Sequence, residues 1–169
     1  MPNKPPKSIM PIKLLSSRGI YTPLAGLLLA TLCEGPTTAA VPDFGEMLQC
    51  LAQLETGTTD LRRPCAKIGR RGERSAWQIS PQVWAVYCSA PFALASSDAQ
   101  LASVVATAHL QWLRKGLERD DKPATPYNLA LAWNAGLGAM LTGKAPPGAH
   151  DYAARADALY ESLTRSEAP

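Results

Sequence analysis

The segment 43–79 constrains the fold more than any other part of the chain. Phe44, Leu48 and Leu51 recur at helical spacing with Met47 and Leu54 beside them, which predicts an amphipathic helix with one apolar stripe turned inward. Asp43 followed three residues later by Glu46 reads as a capping box, and Gly57 as the stop signal. One more step along the stripe lands on Glu55. A carboxyl group there lies on the apolar face and near the helix C-terminus, where negative charge is disfavoured. Desolvation and the helix dipole both push its pKa upward, the condition a general acid needs near neutral pH.

The chain opens with Lys4, Lys7, Lys13 and Arg18, then the apolar run 24–32, then Thr37-Thr38-Ala39-Ala40 before Val41-Pro42. A basic region, a short apolar region and a small-residue exit predict an export signal over residues 1–40. The mature protein, residues 41–169, is then expected in the periplasm or outside the cell. The apolar run is short for a bilayer, so no stable membrane insertion is expected after cleavage. Cys33 raises a lipoprotein anchor as an alternative, which the bulky Leu32 before it disfavours.

The net charge of +3 comes from this leader, which holds four of the 17 Lys/Arg and, in Glu34, one of the 14 acids. The remainder is balanced and of one-domain length. Without a basic surplus to neutralise phosphates, nucleic acid is not an expected partner. Arg62, Arg63, Lys67, Arg70, Arg71 and Arg74 form a local exception with only Glu73 among them. They read either as a solvated loop or as a contact for anionic groups on an extended substrate.

Cys50, Cys65 and Cys88 fit no zinc spacing, so neither metal nor cofactor is implied. In an oxidising compartment they predict one disulfide from Cys65, to Cys50 or to Cys88, and one free thiol. A catalytic Cys is not expected, since neither His109 nor His150 stands in a motif.

The rest reads as helices. Ser80-Pro81 opens one through Val83, Trp84 and Tyr87, and the run Ser97-Asp98-Ala99-Gln100 caps a long one to about Glu118. Thr125-Pro126 starts another, ended by Gly136, and a linker loop over 144–148 precedes a last amphipathic helix carrying Tyr152, Ala156, Leu159, Tyr160 and Leu163. Short strands are possible only in the Gly/Arg-rich stretch 57–76. The predicted class is mainly α: a compact helical domain with a small β or loop element.

Three blocks then resemble the lysozyme-like superfamily, in its soluble lytic transglycosylase and goose-type lysozyme branch. Leu54-Glu55-Thr56-Gly57 resembles the family's catalytic Glu-Ser at a helix end. Residues 72–81 resemble its Gly-Ala-x-Gly-Leu-Met-Gln-Ile-x-Pro, with Gly72, Gln78, Ile79 and Pro81 retained. Residues 129–136, ending Ala132-Trp133-Asn134-Ala135-Gly136, are similar to its Ala-Tyr-Asn-Ala-Gly. The blocks occur in the family's order across nearly the whole mature region. Ser75, Ala76 and Trp77 replace Gly-Leu-Met, Thr56 replaces Ser, and Trp133 replaces Tyr, which marks a divergent subfamily.

The resemblance implies a lysozyme-like α+β fold and cleavage of the β-1,4 bond between N-acetylmuramic acid and N-acetylglucosamine in peptidoglycan. Glu55 would be the acid and then the base, and Tyr152 would support it. Gln78 and Asn134 would orient the N-acetyl group, and the Trp133 indole would donate a hydrogen bond or stack on sugar. Glu73 and Ser75 are further substrate-binding candidates. Glu73 would either position a water, as an inverting hydrolase requires, or pair within the arginine loop. A hydrolytic lysozyme or chitinase, or a catalytically inactive module that binds glycan or a partner, are the alternatives. Trp77, Trp84 and Trp112 are expected in the core, and His109 in the core or at its rim.

Overall fold

The computed structural model describes residues 42–166. The expected leader, its cleavage site and Cys33 lie outside them. Seven helices are formed among the described residues: α1 (Phe44–Thr56), α2 (Pro81–Tyr87), α3 (Leu94–Ser97), α4 (Ala99–Arg119), α5 (Pro126–Ala135), α6 (Leu137–Leu141) and α7 (Pro147–Ser166). The fold is mainly α. None of these helices is long and apolar enough to cross a membrane.

Local chemistry sets most of the boundaries. Asp43 caps α1 by accepting the backbone N–H groups of Gly45 and Glu46, at 2.7 and 3.2 Å. The reciprocal half of the box is made differently, because the Asp43 N–H donates to the Tyr160 hydroxyl at 2.9 Å, fastening the start of α1 to α7. Gly57 ends α1 at φ 78°, a left-handed conformation that a side chain would strain. Ser80 and Thr125 cap α2 and α5, each followed by the expected Pro in the first turn.

Several expectations need correction. The cap of α4 is Asp98, whose carboxylate accepts the Leu101 N–H at 2.9 Å, and Ser97 instead ends the short α3. The expected 144–148 linker is shorter than predicted, since α7 begins at Pro147, a residue whose missing N–H costs nothing in a first turn. In place of short strands there is one antiparallel bridge, Arg74 to Ile79, with N–H···O distances of 3.0 and 2.7 Å. Cys50, Cys65 and Cys88 are all free thiols. Cys50 lies on the buried side of α1, where burial pushes its pKa up to about 11.

The core is organised around α5. Leu129, Ala130, Leu131 and Ala132 are buried in succession, so the middle of this helix is enclosed on all sides, between α7, α6 and α4. Its packing against α7 is the most extensive helix contact, and α1 in turn lies on α7 and α4. Gly116 lets α6 approach α4 closely, since a Cβ there would collide with the Leu137 side chain. This framework carries the ends of α1 and α5 and the middle of α7 to one side of the molecule, where they meet the loop 57–80.

Candidate active site

Between the C-terminal end of α1 and the helix α2 the chain makes a tight turn over residues 74–79. Its two ends are joined by the Arg74–Ile79 bridge, and Gln78 N–H donates to the Ser75 carbonyl at 3.3 Å. Two non-glycine residues in it have positive φ, Ser75 at 76° and Gln78 at 47°. Each such conformation costs on the order of 1–3 kcal/mol and persists only where the surroundings enforce it. Two contacts from α1 do so. The Trp77 indole, 1 % exposed, donates its Nε1–H to the Leu48 carbonyl at 2.9 Å, and the Thr56 hydroxyl lies 3.1 Å from the Ala76 carbonyl.

The pinned turn presents Gln78 to a cleft of about 620 Å³, lined also by Glu55, Gly69, Arg70, Arg71, Glu73, Ser80, Val83, His109, Trp133 and Asn134. Five of the seven candidate residues therefore share one cavity: Glu55, Glu73, Gln78, Trp133 and Asn134. The sixth, Tyr152, is buried behind it and donates its hydroxyl to Glu55 Oε1 at 2.9 Å. The seventh, Ser75, does not reach the cleft. It is 2 % exposed and its Oγ accepts the Trp77 N–H at 3.2 Å, so the φ that shapes the turn also directs this side chain inward.

Glu55 occupies the last turn of α1, on the stripe where spacing predicts it. Burial raises its pKa above the ordinary 4.5. The Tyr152 hydroxyl and the positive charges of Lys67 and Arg155 oppose this, the neighbouring Glu73 carboxylate adds to it, and desolvation prevails. Lys67 also caps the helix, donating from Nζ to the Glu55 carbonyl at 2.8 Å. Tyr152 itself, buried beside an acid, has its pKa pushed up and stays protonated as a donor.

Glu73 is held in the opposite state. Its own backbone N–H, then that of Arg71 at 2.9 Å and the Arg71 Nε at 2.9 Å, keep its carboxyl below the ordinary range. Both oxygens are engaged by Arg71, which fits the pairing alternative better than a water-positioning one. Gln78 donates from Nε2 to the carbonyls of Ser75 at 3.1 Å and Lys67 at 3.3 Å. A Cβ on Gly69 would meet Glu73 Oε2 and Gln78 Oε1, so the absence of a side chain at residue 69 lets these two line one wall together.

The arginine loop dissolves into separate partnerships. Arg62 and Arg63 pair with Asp60, Arg74 turns away over the Phe92 ring, and only Arg70 and Arg71 line the cleft. Trp77 and Trp84 are core residues as expected, whereas Trp112 is 50 % exposed. His109, on α4, is the cleft residue whose role the sequence leaves open. Burial lowers its pKa to about 4, so it is neutral at physiological pH. Its presence in the cleft depends on where α4 crosses α5, which no local motif encodes.

Among the described residues no cluster of three potential metal ligands occurs. The chain matches no known family model, no characterised protein and no solved structure. The arrangement itself offers one protonatable carboxyl with a raised pKa, a fixed phenolic donor behind it, and amide and aromatic groups around an open cavity.

Proposed function

We propose that this protein is an exported lysozyme-like glycosidase of the lytic transglycosylase type, acting on peptidoglycan with Glu55 as general acid and base. The observation that carries the reading is the state of Glu55: a desolvated carboxyl at the end of a buried helix, facing a cleft and oriented from behind by Tyr152. A carboxyl whose pKa is raised by burial and which faces a cavity is suited to donate to a leaving oxygen. The ordered resemblance of the three blocks supports the substrate class, and the cleft gathers a residue from each of them.

In this reading Glu55 delivers its proton to the glycosidic oxygen as positive charge grows at the anomeric carbon. The substrate's own N-acetyl group assists from the opposite face, so no second carboxylate is required. The 6-hydroxyl of the same sugar then closes on the anomeric carbon, Glu55 recovers the hydroxyl proton, and a 1,6-anhydro ring forms without consuming water. Gln78 and Asn134 hold the N-acetyl region, and Trp133 borders the sugar face. Because Arg71 occupies both oxygens of Glu73, activation of a water by that residue is the less supported route. Identification of the reducing or anhydro ends of the fragments released from purified peptidoglycan tests this. Anhydro ends support transfer; free reducing ends would make the enzyme a hydrolase.

A further inference from the structure

Three aromatic rings leave the cleft in a row. Trp133 lines the cavity, and His109 packs edge-on against it with centroids 5.2 Å apart and planes at 60°. One helical step along α4, the Trp112 ring stacks on His109 with centroids 5.7 Å apart and only 11° between planes. Tyr87 braces the imidazole from another side, at 5.9 Å, with its hydroxyl 3.5 Å from Nδ1. The His109 ring is thus clamped by three neighbours, and Trp112 is held on it while half of its own surface faces solvent.

A half-exposed Trp held by stacking has already lost much of its side-chain freedom, so a ligand that lies on it forfeits little entropy. Its flat apolar face is next in line after the cleft aromatics. The apolar C–H face of a pyranose ring is chemically matched to such a surface, whereas the ring hydroxyls point outward to water. We propose that Trp112, backed by His109, is a stacking subsite for a further sugar of the glycan strand, extending the cleft outward along α4. The proposal rests on the reading of the cleft as a glycan site, and it adds preference for longer strands. The exposed Val104 and the half-buried Ala108 continue the apolar line of α4 from Trp112. A helical protein partner would need all three residues; a sugar subsite needs Trp112 alone.

The test uses full-length E55Q protein, which binds without turnover, and β-1,4-linked N-acetylglucosamine oligomers from dimer to hexamer in isothermal titration calorimetry. Adding Trp112→Ala is expected to weaken hexamer binding roughly tenfold and to leave the dimer unchanged. Trp112→Phe keeps most of the hexamer affinity, and Val104→Ala changes nothing. Equal hexamer affinity with and without Trp112 overturns the subsite and leaves the glycan cleft standing. An equal loss for dimer and hexamer also overturns it, since Trp112 would then not extend the site. If E55Q protein binds no oligomer of any length, the glycan reading of the cleft fails and the subsite with it.

Discussion

Tyr152 and Glu55 lie 97 residues apart in the chain and meet at 2.9 Å, the phenol of α7 donating to the carboxyl at the end of α1. The bond favours the charged form of Glu55, against the desolvation that favours the neutral one. Tyr152→Phe therefore raises the Glu55 pKa further. The rate of glycan cleavage should fall by roughly 10- to 100-fold as the acid loses its orientation. The alkaline limb of the pH–rate profile should move to higher pH. An unshifted limb would mean that Tyr152 does not tune this acid.

The raised pKa of Glu55 has a consequence for stability. The folded protein holds this proton to higher pH than the unfolded chain does. Between the ordinary value of 4.5 and the folded value the native state binds more protons, so stability falls as pH rises through that window. Glu55→Gln removes the penalty. Denaturant unfolding should find the variant's stability relative to wild type highest above the folded pKa of Glu55, with this margin shrinking as pH falls from that value to the ordinary 4.5 and constant below it. A difference independent of pH would contradict the assignment of Glu55 as a desolvated acid.

Gly69→Ala tests the cleft wall. The new methyl meets Glu73 Oε2 and Gln78 Oε1, both at the ends of side chains that can swing aside. Moving them disrupts the Arg71–Glu73 pair and the Gln78 amide bonds. Substrate affinity and turnover should drop severalfold while thermal stability changes by about 1 kcal/mol or less. Loss of the fold instead would show that the 69–73 turn is structural.

Trp77→Ala tests the anchoring of the turn. It removes a fully buried indole and its bond to the Leu48 carbonyl, at a cost of about 3–5 kcal/mol. Trp77→Phe keeps most of the volume but leaves that carbonyl unpartnered, at a cost of about 1–3 kcal/mol. Equilibrium unfolding of the two variants should separate these costs; near-equal values would assign the Trp77 contribution to the hydrogen bond.

The free thiols predict that a reductant leaves the melting temperature unchanged, and that alkylation of the native protein spares Cys50. A melting temperature that falls on reduction would restore the disulfide that the export reading led us to expect.

What was legible in the sequence was what local chemistry decides. Asp43, Ser80, Thr125, Gly57 and Gly136 act within a turn of their own position, and they place both ends of α1 and α5 and the start of α2. Glu55 and Tyr152 each fall on a helical stripe, so their inward direction followed from period alone. The short helices α3 and α6 carry too few residues for a period, and α6 exists where Leu137 packs into the space left by Gly116. Ser75, which the resemblance places at the substrate, turns inward instead, because its positive φ, enforced by Trp77 and Thr56 from a distance, lets its Oγ accept the Trp77 N–H. His109 enters the cleft through the crossing of two helices. Such tertiary consequences have no signature in the spacing of a single chain.

The most direct test compares wild-type protein with the E55Q variant on purified peptidoglycan, reading the soluble fragments by mass spectrometry. The account predicts 1,6-anhydro-muropeptides from the wild type and none from the variant, with both proteins folded and both retained on the glycan. Fragments released equally by the variant would contradict the role of Glu55. Glycan binding without any release by the wild type would make the protein a binding module rather than an enzyme.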